Sequence, residues 1–362
     1  MKDDKQEARL SRILKMLAPG TPLHEGLESI LRARTGALIV VGDSPEVMSL
    51  VDGGFHIDAE LYPTRLYELA KMDGAIILSG DGKRILWANV QLTPDPMIPS
   101  FETGTRHRTA ERVAIQTGVL VISISQRRNV ITVYTTGLKY VLQDVGVILA
   151  KANQALQTLE KYKAVFEEAL VNLTALEFED LATTQDVARV IQRSQMVSRI
   201  AKEIEKYVWE LGAEGRLVNM QLEELMANIE DEGRLVLRDY YVGHEGEQPA
   251  EGASGMWDQL TSWSAEDLLD SALLSRALGY AAAGNATDIP VTPKGFRICA
   301  KIPRLPVPVI ENLVQRFHTL PQILEANIDE LDEVDGIGEV RARSIKDGLR
   351  RLREQTLLDR RL

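Results

Sequence analysis

The 362-residue chain has one cysteine, Cys299, so no intramolecular disulfide can brace it, and that usage fits a reducing compartment. Apolar runs are short. The longest, such as ALIVV at 37–41, are of strand length and far below the roughly 18 residues a membrane span needs. The N-terminal stretch MKDDKQEARLSRILKML is charged and helical in pattern, without the apolar centre of a signal peptide. The expectation is a cytoplasmic protein with no membrane partner. Several catalytic signatures are also missing. There is no G-x-x-x-x-G-K-[ST], no G-x-G-x-x-G after a strand, no C-x-x-C, no H-E-x-x-H and no G-x-S-x-G. His24, His56, His244 and His318 stand isolated and read as structural or exposed, and Cys299 sits in an apolar context that suits the core. A surplus of positive charge is absent too: 42 Lys and Arg face 53 Asp and Glu, a net charge of -11.

That charge is unevenly spread. Residues 1–150 hold 17 basic and 17 acidic side chains, 151–290 hold 12 and 25, and 291–362 hold 13 and 11. The acidity belongs to the middle, which leaves either end free to meet a polyanion. Pattern divides the chain in the same way, into 1–145, 146–288 and 289–362. In the first region ALIVVGD (37–43), AIILSG (75–80), KRILWANVQL (83–92), VLVISIS (119–125) and NVITVYTT (129–136) read as strands. Helices fit 7–17, 21–34, 63–72 and 106–117, with hairpin turns at Asp81-Gly82 and Arg127-Arg128-Asn129. Strands joined partly by hairpins and mixed with helices give an α/β domain with a mixed central sheet flanked by helices.

The middle reads as an all-α linker or oligomerisation domain. Val187, Val190, Ile191, Val197, Ile200, Ile204, Val208 and Leu211 recur at steps of three and four, with Thr184 as the expected cap and Gly212 as the stop. Further helices are expected over 217–232 and 264–279, the latter capped by Ser264, with a loop over 243–255. No chemistry is visible there.

In the last region LDEVDGIGEVRARSIKDGLRRL (331–352) sets a short helix before Gly336-Ile337-Gly338 and a second helix after it, with Ala342, Ile345 and Leu349 on one face. The glycines allow a tight turn that exposes backbone N–H groups at a helix start, where the dipole favours an anion. Arg341, Arg343 and Lys346 follow. The pattern resembles the helix–hairpin–helix module, which grips DNA phosphates without reading bases. Gly336, Gly338, Arg341, Arg343 and Lys346 are its candidate DNA contacts; the bland alternative is a helical hairpin with a solvated basic face. An upstream segment, IPRLPVPVIENLVQRF (302–317), could be a first hairpin, with Pro306 and Pro308 in place of glycines and so packing rather than binding.

The most unusual stretch is GTRHRTAERVAIQTG (104–118). Thr105 is a plausible cap, and Ala110, Val113 and Ala114 form the buried stripe of the helix that follows. Arg106, His107 and Arg108 then occupy its first turn, where the dipole favours acids instead. Free N–H groups with two guanidinium forks make a phosphate cradle. Asp73-Gly74, where a helix passes into a strand, could supply a metal ligand, although a lone Asp-Gly is a weak signal and on spacing alone a plain turn is the better reading.

Asp73-Gly74-Ala75 and the stretch Gly104–Glu111 together resemble the paired motifs of the diadenylate cyclase family, and the similarity runs from about residue 9 to 140. With the acidic helical middle and the basic hairpin, the arrangement is similar to cyclases that carry a DNA-binding tail. The resemblance implies that two ATP molecules are condensed into cyclic di-AMP and two pyrophosphates, across two domains meeting face to face in a homo-oligomer, an octamer by the same resemblance. It implies that Asp73 holds Mg²⁺ or Mn²⁺, Gly74 lets the backbone approach the nucleotide and Leu92 meets adenine through its backbone. Thr105, Arg106, His107, Arg108 and Thr109 would hold the triphosphate, His107 as phosphate donor or metal neighbour and not as general base. Ser125 and Arg128 are further phosphate candidates. Asp73, Arg106, His107 and Arg108 are the catalytic set, and branched DNA on the tail is expected to lower activity. A non-catalytic ATP-sensing, DNA-binding scaffold is the competing reading; it has little need of Asp73.

Overall fold

A computed structural model describes residues 2–243, 249–280 and 289–359. The chain forms two compact units, Met1–Gln154 with Ile204–Met220, and Ala155–Glu203 with Gln221–Leu362.

The first unit opens with α1 (Lys2–Leu17) and α2 (Pro22–Arg32), then β1 (Ala37–Val41), α3 (Pro45–Met48), β2 (Val51–Asp52), β3 (Phe55–Glu60), α4 (Pro63–Leu69), β4 (Ala75–Leu78) and β5 (Arg84–Leu92). After a long loop come α5 (Thr105–Thr117), β6 (Leu120–Ser125), β7 (Val130–Thr135) and β8 (Leu138–Val141). The eight strands form one sheet in the order β2-β5-β4-β1-β6-β7-β8, with β3 also on β5. β1 and β4 run parallel; the other pairs are antiparallel. The sheet is mixed, and both expected hairpins are present, β4 to β5 and β6 to β7.

Side-chain alternation explains the layers. Ile39, Ile76, Ile122, Ile131 and Val133 pack one face of the sheet against Leu27, Ile30 and Leu66 of α2 and α4. Leu38, Val40, Ile77, Val121 and Tyr134 pack the other face against Ala110, Val113 and Ala114 of α5. Because β1 is buried on both faces, its five residues are apolar without a break. The short β2, β3 and β8 are not evident in the apolar pattern: β3, FHIDAE, is exposed along most of its length, so burial leaves no alternation to read.

Two long helices, α6 (Val145–Glu179) and α7 (Thr184–Leu211), contribute residues to both units. They lead to α8 (Arg216–Met226), α9 (Ile229–Tyr240), α10 (Pro249–Ser262), α11 (Ala265–Leu269) and α12 (Ser271–Ala277). Several boundaries differ from expectation. α7 is capped by Thr183, whose hydroxyl accepts from Asp186 N at 3.4 Å while Asp186 Oδ2 accepts from Thr183 N at 3.1 Å. The helix expected over 217–232 is two helices, broken where Asn228 takes a left-handed conformation, φ 64°. The one expected over 264–279 is also two, because the Asp270 carboxylate caps Ala272 N and Leu273 N and restarts the chain. The loop expected over 243–255 is helical from Pro249 onward; residues 244–248 lie outside the described residues.

The C-terminal stretch holds α13 (Phe296–Ala300), α14 (Val307–Phe317), α15 (Leu320–Glu325), α16 (Ile328–Asp332) and α17 (Glu339–Asp359). Ile298, Val309, Leu313, Leu331, Ala342, Ile345 and Leu349 share a core with Phe178 of α6, and Cys299 lies in it. The turn before α17 places Gly336 at φ 82°, a conformation glycine adopts without strain. Before α14, Arg304 takes the same role at φ 63° and Pro306 is the helix cap, so Arg304 and Pro306, not Pro306 and Pro308, stand where Gly336 and Gly338 do. Val309, Ile310, Leu313 and Val314 of that first hairpin face the core, so it packs.

A buried charge cluster ties these elements within the second unit. Arg297 of α13 is fully buried and pairs with Glu177 of α6, and its Nη2 donates to Thr174 at 3.0 Å. Asp239 of α9 accepts the N–H groups of Gly295, Phe296 and Arg297 at 2.8, 2.7 and 3.0 Å and so caps α13. Burial and the neighbouring Glu177 push the Asp239 carboxyl up to about 6.

Candidate functional site

Strand register gathers the candidate residues of the first unit. Ala75 of β4 faces Val90 of β5, Ile39 of β1 runs level with Ile76, Ala37 faces Ile124 of β6, and Ser125 faces Val130 of β7. One or two residues beyond those pairs lie Leu92, Asp73-Gly74, Gly36 and Ser125. They therefore share one end of the sheet, across four neighbouring strands. This is the amino-terminal end of the parallel pair, whereas open α/β sheets ordinarily place ligands at the carboxyl ends.

The start of α5 lies at the same end. Its cap is Gly104, not Thr105, and among the described residues no side chain caps its first-turn N–H groups. Glycine has no oxygen to compete for them, so they and the dipole remain available to an anion. Arg106, His107 and Arg108 fill the first turn, which holds no acid. The Arg106 guanidinium lies over Gly36: a Cβ at Gly36 would meet its Nη1 at 1.8 Å. Arg106 makes no hydrogen bond or ion pair among the described residues. Arg108 is exposed and bonds the Glu102 carbonyl through Nε and Nη2, each at 3.3 Å. Thr105 is exposed and Thr109 half-buried. Ser125 Oγ accepts from Arg128 N at 3.1 Å, and Arg128 Nη2 reaches Thr103 at 3.4 Å, so these two form the opposite rim.

His107 is on the buried side of the same turn. Its Nδ1 lies 3.0 Å from the Tyr134 hydroxyl, which lies 2.8 Å from Glu102 Oε1, which in turn pairs with Lys139 at 2.5 Å. Burial lowers the imidazole pKa; Glu102 opposes this, while Arg128, Lys139 and Arg106 add to it. Burial would raise the Glu102 carboxyl, but Lys139 and Tyr134 outweigh it and hold it below the ordinary value. The positions 107, 110 and 113–114 already carry the helical spacing that buries His107. Its network partners Glu102, Tyr134 and Lys139, and the glycine at 36, were not visible in the sequence because pairing across strands leaves no local pattern.

Asp73 sits on the bend before β4, exposed, its carboxylate in no hydrogen bond or ion pair among the described residues. Among those residues no group of three or more His, Cys, Asp or Glu side chains forms a metal cage. A single open carboxylate suits Mg²⁺ or Mn²⁺ shared with substrate phosphates and water, not a structural ion. Gly74 is explained by the fold: a Cβ there would lie 2.3 Å from the Asn89 carbonyl carbon, where β5 bulges and Asn89 turns to φ 54°. Leu92 is buried, ends β5 and pairs with Val51.

At the other end of the chain, Gly338 has open space where a Cβ would point, whereas Gly336 is required by its φ. Arg341 bonds the Gly336 carbonyl and Arg343 pairs with Glu339, both exposed. Lys346 turns inward and donates to the Leu324 carbonyl at 2.8 Å, so it braces α15. No described helix is long and apolar enough to cross a membrane.

Residues 24–138 match the family model described as DisA bacterial checkpoint controller nucleotide-binding, and residues 142–287 match the DisA bacterial checkpoint controller linker region. The first unit is thus a nucleotide-binding domain of the diadenylate cyclase class, followed by its helical linker. The chain is 60% identical over 356 residues to the DNA integrity scanning protein DisA of Carboxydothermus hydrogenoformans, spanning 98% of this chain and 99% of that one. It is 59% identical to the DisA of Symbiobacterium thermophilum, over 97% and 98% of the two chains. It belongs to the DisA family. Among solved structures, DacA from Staphylococcus aureus is similar at 22% identity and a TM-score of 0.29, over 39% of this chain and 90% of that one.

Proposed function

We propose that the chain is a diadenylate cyclase that condenses two ATP into cyclic di-AMP and two pyrophosphates and is regulated by DNA. The observation that carries this reading is the meeting, at one sheet end, of an open carboxylate, an uncapped helix start and guanidinium groups with unused donors. Each ATP is held by one first unit, and two such units face each other in a cytoplasmic homo-oligomer, an octamer. Each 3′-oxygen bonds to the α-phosphorus of the other ATP as the α–β phosphoanhydride bond breaks, and pyrophosphate leaves with its electron pair.

In this reading the N–H groups of the α5 start, with Thr105 and Thr109, orient the triphosphate. Arg106 and Arg108 offset the charge that builds on its oxygens, and Ser125 and Arg128 hold the outer phosphates. The Leu92 backbone meets adenine. Asp73 holds Mg²⁺ or Mn²⁺, which when bound neutralises phosphate charge and eases loss of the hydroxyl proton. Gly74 keeps β4 close to β5, so Asp73 stays at the mouth.

The functional division is 1–145 for catalysis, 146–288 for linking and assembly, and 289–362 for DNA. The tail is a helix–hairpin–helix module: the N–H groups around Gly336 and Gly338, with Arg341 and Arg343, hold backbone phosphates, and branched DNA bound there lowers synthesis. Thin-layer chromatography of labelled ATP with Mn²⁺ tests the catalytic core. The wild type is expected to give cyclic di-AMP. Asp73→Asn is expected to give none while ATP binding, measured by calorimetry, largely survives, because the substitution keeps the shape and removes the charge. Near-normal synthesis by the variant would remove Asp73 from the mechanism.

A further inference from the structure

His107 presents a protonation puzzle that its neighbours solve. Tyr134 has one hydroxyl proton and two close partners, Glu102 Oε1 at 2.8 Å and His107 Nδ1 at 3.0 Å. Glu102 is an acceptor, since it is ionised and paired with Lys139. The tyrosine proton therefore goes to Glu102, and the tyrosine oxygen must accept from His107. That fixes the proton on Nδ1 and leaves Nε2 as a lone pair. Nε2 is buried and has no hydrogen-bond partner among the described residues, in a residue only 9% exposed. A bare acceptor beside the start of α5 contradicts the rest of the site, which offers donors, and it would repel a phosphate oxygen.

Charge explains why the nitrogen stays bare. The charged groups that act on His107 are Glu102 from the preceding loop, Arg106 on its own helix, Arg128 from the turn between β6 and β7, and Lys139 from β8. Three cations against one carboxylate oppose a further positive charge in the empty site. A polyphosphate reverses the balance and supplies the acceptor that a second N–H needs. The relay tolerates this change, because Nδ1 donates to Tyr134 in both the neutral and the cationic ring.

We propose that Tyr134 and Glu102, braced by Lys139, are positioning residues that hold His107 as its Nδ1–H tautomer, so that nucleotide binding draws one proton onto Nε2 and turns it into a phosphate donor. The inference rests on the reading of this site as an ATP site. It assigns a role to three residues outside the motif, and it makes ATP affinity a function of pH: binding weakens as pH rises, because the proton must be taken from solution.

Calorimetry of ATP binding to the full chain at one pH near about 7.5, in buffers of differing ionisation enthalpy, reads the proton directly. The wild type is expected to take up between about half a proton and one proton per bound nucleotide. Tyr134→Phe should lose most of that uptake and bind ATP about tenfold more weakly. Glu102→Gln keeps an oxygen for the tyrosine proton, so ¹⁵N NMR of its imidazole should still show the Nδ1–H tautomer while uptake falls with the lost charge. A His107 spectrum with Nε2 protonated in the free wild type would overturn the relay whatever ATP does. Tight ATP binding with no buffer dependence would overturn the proton coupling and leave the cyclase reading intact. No ATP binding at all would sink both.

Discussion

Gly36→Ala is a sharp perturbation of the site because Gly36 is not itself a proposed ligand contact and acts only through Arg106. A Cβ at that position would lie 1.8 Å from Arg106 Nη1 and 2.8 Å from Arg106 Cζ. Both are far below ordinary van der Waals distance, so one group must move, and the free end of a long side chain moves more cheaply than a sheet. The backbone contact is milder, 3.2 Å to the Ile124 carbonyl. The methyl group thus evicts the guanidinium and leaves the strands in place. A charge-assisted hydrogen bond to phosphate is worth about 1.5–3 kcal/mol, so ATP binding should weaken about 10- to 150-fold, as far as in Arg106→Ala. Thermal stability should change by less than about 1 kcal/mol, the alanine restricting the unfolded chain as it crowds the folded one. Gly74→Ala provides the contrast: its Cβ would meet the backbone of Asn89 and Val90 at 2.3–2.7 Å, which cannot yield, so the melting temperature itself should fall. Titration calorimetry beside a thermal melt reads both quantities. If Gly36→Ala bound ATP as tightly as wild type while Arg106→Ala did not, the guanidinium would leave Gly36 in order to bind, and the cradle as drawn would be wrong.

Other outcomes test the second unit. Asp239 has a folded pKa of about 6 against an ordinary 3.8, so the native state holds the extra proton, and stability is lost as pH rises between those values. Asp239→Asn should therefore gain stability relative to wild type as pH goes from about 4 to about 7 in denaturant titrations; a flat or falling difference would refute the assigned pKa direction. Replacing Arg341 and Arg343 by Glu should weaken binding of any duplex regardless of sequence and reduce the slope of log affinity against log salt by about 1 to 2. An unchanged salt slope would take both residues out of the interface.

The sequence revealed those parts of the molecule whose cause is local. β1 and β4 are buried on both faces and read as unbroken apolar runs, β6 reads as an apolar run broken by Ser123, and α5 shows its stripe at Ala110, Val113 and Ala114. The motif residues were legible because cations in a first helical turn defy the dipole. Elements that depend on distant partners were not legible. β3 is exposed, and β2 is two residues held by Leu92 and Gln91. The breaks at Asn228 and Asp270 are single-residue events inside otherwise continuous helical patterns, where a left-handed conformation at Asn228 and a carboxylate cap at Asp270 outweigh propensity. His107 continues the buried stripe of α5 by its spacing, but its hydrogen-bond partner Tyr134 lies 27 residues away and leaves no sign in the local pattern.

The buried cluster in the second unit changes how the DNA hypothesis is best approached. Deleting residues 291–362 would test the tail cleanly only if it were an independent domain. In the structure that cut takes away Arg297, which pairs with the buried Glu177 and lies beside the carboxylate of Asp239, and it strips the core from around Phe178. An uncompensated buried charge costs about 3–5 kcal/mol, comparable with the stability of a whole domain. A truncated chain that lost its response to DNA would then report a damaged linker as readily as a missing sensor. Arg341 and Arg343 are free of this objection, since both are exposed and neither reaches the cluster. Charge reversal at those two positions leaves Arg297, Glu177 and Asp239 in place. If branched DNA lowers cyclase activity through this hairpin, the doubly reversed chain should keep its basal synthesis and its melting temperature while synthesis no longer falls when branched DNA is added. Persistent inhibition in that variant would place the DNA contact elsewhere on the chain.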